Sequence, residues 1–367
     1  MKALLISFSE LPTLQRHLYV LSAELAKLGI ETTTLGSSNL KIDSKLQSNN
    51  NLIGTPSSPK PSPQSLLAMN RELNKIAQMA IEIEPDVIHF INKHTWNYFL
   101  IRMLKKKLPQ TKLIHTFHDP VGHEGDSVQK GVVLYHKLVE RLLDAIVVHS
   151  DIAKDQTLNL LKPKCPVFQV PLGEKPWKPF NLTSFDSKEA LVFGRLNPYK
   201  GLKYYPEILD ELRSLDSAIH VTIAGKASPE IEPRLLDEIE SKPNCTFKNC
   251  FIEDSDVDGY FERAGIVLVP YTSITQSGVI LDAYSRSRPV VAFDIPGMAQ
   301  YVPDSNNRIK AFDCVAFARR IVELLSDSFS REQAARNAWN FGNSRFSPTK
   351  MAEATKEVYM HHLLRHT

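Results

Sequence analysis

Short apolar runs alternate with amphipathic stretches along nearly the whole chain. An apolar, β-prone run at 2–8 is followed by Leu18, Leu21, Leu25 and Leu28 at helical spacing, a Gly29 stop, and a second β-prone run at 30–35. Strand, helix, strand in that order predicts a parallel sheet with right-handed crossovers. The same periodicities predict helices over 66–83, 96–107, 132–143 and 152–161, and strands over 86–91, 112–117, 145–149 and 167–170. Residues 36–65, rich in Ser, Asn and Pro, read as a surface loop. At 173–189 the rhythm stops in a polar stretch with Pro and Gly, which predicts a linker between a domain at 1–172 and one at 190–348. Alternation resumes with strands at 190–193, 219–224, 246–248, 266–269 and 290–293. Helices are expected at 202–215, 233–240, 257–263, 278–287, 315–326 and 331–339. The fold class is therefore α/β, with two doubly wound, Rossmann-like halves. A last helix within 349–367 follows the second half and is expected to pack back on the first.

Composition narrows the class. A length of 367 residues, 43% hydrophobic and 23% charged, suits a soluble two-domain protein. The net charge of +3 is too small to argue for nucleic acid. Its distribution is uneven: residues 1–175 carry 21 Lys+Arg against 16 Asp+Glu, the remainder 23 against 25. The basic first half, with Lys105, Lys106 and Lys107 closing a helix, permits peripheral contact with an anionic membrane, although lysines at a helix end also answer the helix dipole. Four cysteines without zinc spacing point to a reducing, cytoplasmic setting, and no apolar run reaches the roughly eighteen residues of a membrane span. The first residues, MKALLISFSELP, read as a strand rather than a leader.

Two stretches carry candidate chemistry. In 191–201, LVFGRLNPYKG, a buried strand ends at Gly194 and presents Arg195 and Lys200 in the following turn. The carboxyl ends of parallel strands form the ligand crevice of an open α/β sheet. An Arg fork and a Lys point charge there suit a diphosphate, although such cations also occur merely solvated. In 270–297, a loop leads to a helix starting at Ser277 and Gly278, whose leading N–H groups and dipole suit an anion. Asp282 lies one turn on, either holding ligand hydroxyls or facing solvent. Asp254, Asp256 and Asp258 read as helix-start carboxylates rather than a manganese set. His361, His362 and His366 read as a solvated tail. Trp96, with Tyr98 and Phe99, reads either as core or as a stacking surface for an acceptor sugar.

The strings GRLNPYKG, HVTIAGKA and SGVILDAYSRSRPVVAFDIPG, with DVIHF, HTFHDP, VVHSDIAKD and VPLG before them, resemble retaining glycosyltransferases of the GT-B fold, family 4. The resemblance implies two Rossmann-like domains facing a central cleft, the first for the acceptor and the second for a nucleotide-diphosphate sugar donor. It implies transfer of the sugar to a glycan or lipid-linked acceptor with the anomeric configuration kept, by front-face displacement in which the leaving phosphate helps deprotonate the acceptor. Arg195, Lys200 and the Ser277–Gly278 helix start would hold the leaving diphosphate, so no metal and no cofactor are expected. Asp282 would hold the ribose, Gly194 and Gly225 would lie beside the nucleotide, and Phe251 near the base. His118, beside Asp119, would touch the donor sugar. The family's paired glutamates are replaced by Ile274 and Asp282, which leaves Thr275 and Gln276 as the polar groups for the sugar. The first βα loop has Leu11, Pro12 and Thr13 in place of a glycine pair, and Pro12 and Thr13 are expected on the acceptor side. The glycine-containing loop 121–131 is expected to order over the acceptor. The alternative is a non-catalytic protein that binds a nucleotide sugar or a partner on the same fold.

Overall fold

In the computed structural model, residues 1–9, 12–36, 63–121, 129–173, 175, 177–181 and 187–363 are described. Most of the loops 36–65 and 121–131, part of 173–189, Leu11 and His366 lie outside them. The chain forms two compact units, one of Met1–Gly122, Asp126–Lys175 and Phe346–Thr367, the other of Pro176–Arg345.

The first unit is built on six parallel strands, β1 (Lys2–Ile6), β2 (Glu31–Leu35), β3 (Val87–Phe90), β4 (Lys112–Thr116), β5 (Ala145–Val148) and β6 (Val167–Gln169), ordered β2-β1-β3-β4-β5-β6. The strand order reverses direction between β1 and β3, which makes their carboxyl ends the crevice of this sheet. β3 and β5 are buried along their whole length, VIHF and AIVV, because helices cover both faces of a parallel sheet. One face packs Leu73, Ile76 and Ala80 with Trp96, Leu100 and Leu104. The other packs Leu18, Leu21 and Leu25 with Met351, Ala352, Val358 and Tyr359 of the helix Pro348–Leu363. That last helix is further tied by Lys356 Nζ donating to Leu28 O at 2.9 Å and by a 2.8 Å hydrogen bond between Tyr359 and His89 Nδ1. His361 and His362 are not a solvated tail: both rings pack on Phe168.

The second unit has β7 (Glu189–Phe193), β8 (His220–Ala224), β9 (Cys245–Lys248), β10 (Ile266–Val269), β11 (Val290–Asp294) and β12 (Arg308–Lys310), all parallel, ordered β12-β11-β10-β7-β8-β9. This is the 3-2-1-4-5-6 order of a doubly wound dinucleotide fold, with the switch point between β7 and β10. Residues Trp177–Asn181 of the stretch read as a linker pack on this unit: Lys178 N donates to Ser285 O, Asn181 N to Ser287 Oγ, and the Trp177 ring meets Trp339. Among the described residues no helix is long and apolar enough to cross a membrane.

Candidate functional site

The site is assembled at the switch point of the second sheet. After Phe193 the chain turns at Gly194 (φ +90°), exposes Arg195, and enters a 3-10 turn, Pro198–Lys200, that ends on Gly201 (φ +76°). Gly201 sits against the start of the loop after β10, where an added Cβ would lie 1.8 Å from Pro270 O. Next to it, Thr272 N donates to Tyr199 O at 2.8 Å. The two cation-bearing and helix-leading loops are thus bolted side by side. Gly201→Ala adds both a backbone clash and left-handed strain, so it should destabilise the second unit by about 2 kcal/mol. Urea unfolding checks this, and a midpoint equal to the wild type's contradicts it.

Lys200 is only 6% exposed. Its Nζ donates to Phe193 O at 3.3 Å and lies 5.5 Å from the centroid of the Tyr271 ring. Burial, reinforced by repulsion from Arg195 and partly offset by Asp282, lowers its pKa from 10.5 to about 8. Among the described residues the Arg195 guanidinium makes no hydrogen bond or ion pair. The corner therefore holds two cations that repel one another, one buried and one open to a ligand.

The loop after β10 supplies the polar complement. Ile274 is in the core, 4% exposed, so its apolar side chain is a packing choice. Thr275 is also buried, and Gln276 Oε1 is a buried acceptor with no hydrogen-bond partner among the described residues. Ser277 Oγ accepts from Ile280 N at 3.3 Å and caps the helix Gly278–Ser285, whose first amides, at Gly278 and Val279, lead the helix. Phe251 follows β9 with its ring 67% exposed, as a stacking residue requires.

Two roles drawn from the resemblance need correcting. Asp282 is not an open carboxylate awaiting ribose: it is 4% exposed, and Arg286 Nη1 donates to its Oδ1 at 2.8 Å. Arg286 in turn bonds Asp258, which also takes Lys178 Nζ. Asp282 acts on Lys200 through its field while Arg286 holds it. Asp258 bridges Lys178 and Arg286, whereas Asp254 and Asp256 open the helix Asp254–Arg263 as the sequence suggests. Gly225 has a local reason to be glycine: a Cβ there would lie 2.0 Å from Gly194 O on the neighbouring strand. Arg286 and Tyr271 escaped the sequence reading because nothing in their spacing points to Asp282 or Lys200.

In the first unit, His118 follows β4 and its Nε2 donates to Ile91 O at 3.0 Å, which orients the ring at the carboxyl edge of the sheet. Asp119 is half-buried beside it and acts electrostatically on His136. Pro12 and Thr13 open the helix Pro12–Lys27. Trp96 is not a stacking surface: it is 3% exposed and packs edge-on against Phe8. Its acceptor role is withdrawn, because the first turn of its helix points into the core.

Comparison with known proteins agrees with this geometry. The family described as Glycosyltransferase Family 4 matches residues 14–173, and that described as Glycosyl transferases group 1 matches 187–327. An alpha-D-kanosaminyltransferase of Streptomyces kanamyceticus is 25% identical over 178 residues, 47% of this chain and 46% of that protein, about half the length of the relative. Among solved structures, sucrose-phosphate synthase from Thermosynechococcus elongatus superposes with TM-score 0.74 at 15% identity over 100% of both chains. Anabaena HepE, solved with UDP, gives 0.68 at 16% identity over 98% of this chain and 99% of that one. S. aureus TarM, solved with UDP and a glycan, gives 0.72 at 12% identity over 98% and 99%. Matched in both halves and built on two Rossmann-like sheets, the chain belongs to glycosyltransferase family 4 and has the GT-B fold.

Proposed function

We propose that the protein is a retaining hexosyltransferase that moves a sugar from a nucleotide-diphosphate donor to a glycan or lipid-linked acceptor. The observation that carries this reading is the un-neutralised cation pair Arg195 and Lys200 beside the leading amides at Gly278 and Val279. Cleaving a glycosyl phosphate develops negative charge on the departing diphosphate. Cations and N–H dipoles fixed beforehand stabilise that charge more than the ground state, which lowers the barrier. Two cations and a helix start supply the charge that a divalent ion supplies elsewhere, so the transfer step is metal-independent. Gln276 Oε1 accepts a donor hydroxyl in place of the family's glutamate, and Phe251 stacks on the base. His118 touches the donor sugar, and the leaving phosphate takes the acceptor's proton as the sugar departs.

Incubation with a nucleotide sugar and no acceptor tests this, the donor being chosen by a thermal-shift screen of UDP-, GDP-, ADP- and TDP-sugars. Slow hydrolysis is expected, with the first-formed sugar keeping the donor's anomeric configuration by proton NMR and with no loss of rate in EDTA. Stabilisation without turnover favours the rival reading, a non-catalytic binder; a rate abolished by EDTA and restored by Mn2+ contradicts metal independence.

A lipid-linked acceptor accords with the first unit's surface. Phe99, Leu134 and Leu138 are exposed on the helices Thr95–Lys107 and Gln129–Val139, which also bear Arg102, Lys105, Lys106, Lys107 and Lys137. Sedimentation with anionic vesicles that weakens as salt rises is the expected result; equal binding to neutral vesicles contradicts an electrostatic contact.

A further inference from the structure

Buried histidines are numerous in the first unit, and they fall into two kinds. His89 and His115 use both ring nitrogens: His89 bonds Tyr359 and Thr116, and His115 bonds the Thr116 carbonyl and Tyr135. They are satisfied core groups. His17 and His149 are 1% and 2% exposed, yet His17 Nδ1 and His149 Nε2 have no hydrogen-bond partner. A buried, unpaired ring nitrogen is costly and rare enough to require an explanation.

The explanation is in their arrangement. His17 projects from the helix Pro12–Lys27 that follows β1, His118 from the end of β4, and His149 from the end of β5. Their ring centroids are 5.4 Å (His17 to His118), 5.3 Å (His17 to His149) and 4.9 Å (His118 to His149) apart. One ring nitrogen of each lies within 4.8 Å of one from each of the others. Two of the rings are also oriented from behind. His149 Nδ1 donates to Val170 O at 2.9 Å, and His118 Nε2 donates to Ile91 O. A ring N–H given to a backbone carbonyl fixes the tautomer and leaves the opposite nitrogen as a lone pair, which is how metal-ligating histidines are held.

We propose that His17, His118 and His149 form a binding site for a divalent transition-metal ion, with Zn2+ the best match. Three imidazoles without carboxylate or thiolate suit Zn2+, Co2+, Ni2+ or Cu2+ rather than Mg2+ or Ca2+. Tetrahedral Zn2+ with bonds of about 2.0–2.1 Å places its ligands about 3.4 Å apart, so binding draws the rings together by about 1 Å. Burial holds His17 and His149 neutral, lowering the pKa of His149 to about 3, and neutral imidazole is the ligating form. Burial and mutual repulsion that make a proton unwelcome are repaid by an ion bound to the lone pairs. His118 is the partly exposed member, so a fourth coordination position opens on its side and takes water or a small anion. Occupancy also engages His118. On the transfer reading above, added Zn2+ therefore inhibits by withdrawing that ring from the donor sugar, and EDTA leaves the rate unchanged or raises it.

The binding test does not depend on that reading. Full-length protein without a polyhistidine tag, stripped of metal, is titrated with Co2+. The expected result is one Co2+ per chain, visible absorption bands of the intensity that tetrahedral nitrogen ligation produces, and their loss when Zn2+ is added. His17→Gln and His149→Gln should each abolish the bands and weaken binding by at least the tenfold to hundredfold (~) that loss of a mere supporting partner costs. His361→Ala with His362→Ala should change neither. Bands that survive His149→Gln, or that vanish with the His361/His362 pair, assign the ion elsewhere and overturn the proposal, as does wild-type protein without a stoichiometric site. Should His17→Gln fail to fold, melting decides it: Zn2+ must raise the melting temperature of the wild type and not that of His149→Gln.

Discussion

Replacing Arg195 with alanine should lower turnover by on the order of a hundredfold or more while leaving the fold intact. The guanidinium is exposed and has no protein partner among the described residues, so its loss removes no internal contact and the melting temperature should not fall. What it removes is a bidentate donor to a diphosphate whose charge grows as the glycosyl bond breaks. The loss should fall mainly on kcat, because the interaction strengthens in the transition state, and less on the affinity for the intact donor. Arg195→Lys should recover part of the rate, since it restores the charge and not the fork. A variant with near-normal kcat/KM contradicts the role.

Lys200→Met should produce the opposite pairing, a less active and more stable protein. The folded-state pKa of about 8 lies below the ordinary 10.5, so below pH 8 the fold carries a buried charge that the unfolded chain carries in water. The difference corresponds to roughly 3 kcal/mol against folding near neutrality. Methionine keeps most of the length and none of the charge, so the variant should melt several degrees higher at pH 7. From about pH 8 toward 10.5 the unfolded wild type retains a proton that the folded form has shed. Wild-type stability should therefore gain on the variant's over that window, and the gap should close. Melting curves of both proteins across pH 7 to 10.5 check the sign; a variant less stable than wild type at pH 7, with a constant gap, contradicts it. Turnover should fall by about as much as in Arg195→Ala. A group kept at a cost to stability and required for rate is the signature of a functional site.

Much of the architecture was legible because it depends on local pattern. The strand Ile266–Val269 and the helix Pro233–Glu240 lie where the apolar periodicity placed them, since both are continuous and flanked by clear stops. β12 was invisible: RIK is three residues long, sits at the sheet edge, and has no buried position to leave an apolar trace. The short helix Met298–Tyr301 was equally hidden. The cation-bearing turn at 195–201 was legible because Gly194, Pro198 and Gly201 announce it. Its electrostatics were not. That Arg286 already holds Asp282, that Tyr271 covers Lys200, and that Gly225 backs onto Gly194 are contacts across tens of residues that no spacing encodes. Trp96 shows the converse error: an aromatic at a helix start looks available until the sheet beneath claims it. His17 and His149 were passed over for the same reason, because helix α-spacing and strand ends bring them beside His118 only in three dimensions.

Calorimetric titration of nucleoside diphosphates into the wild type and the Arg195→Ala and Lys200→Met variants, at pH 9 in two buffers of different ionisation enthalpy, probes the corner at β7 most directly. Bound diphosphate should draw the Lys200 pKa back up, so the wild type should take up a proton on binding, Arg195→Ala should bind more weakly, and Lys200→Met should lose the proton uptake. Equal affinities in all three proteins, with no buffer dependence in the wild type, would mean that the diphosphate goes elsewhere.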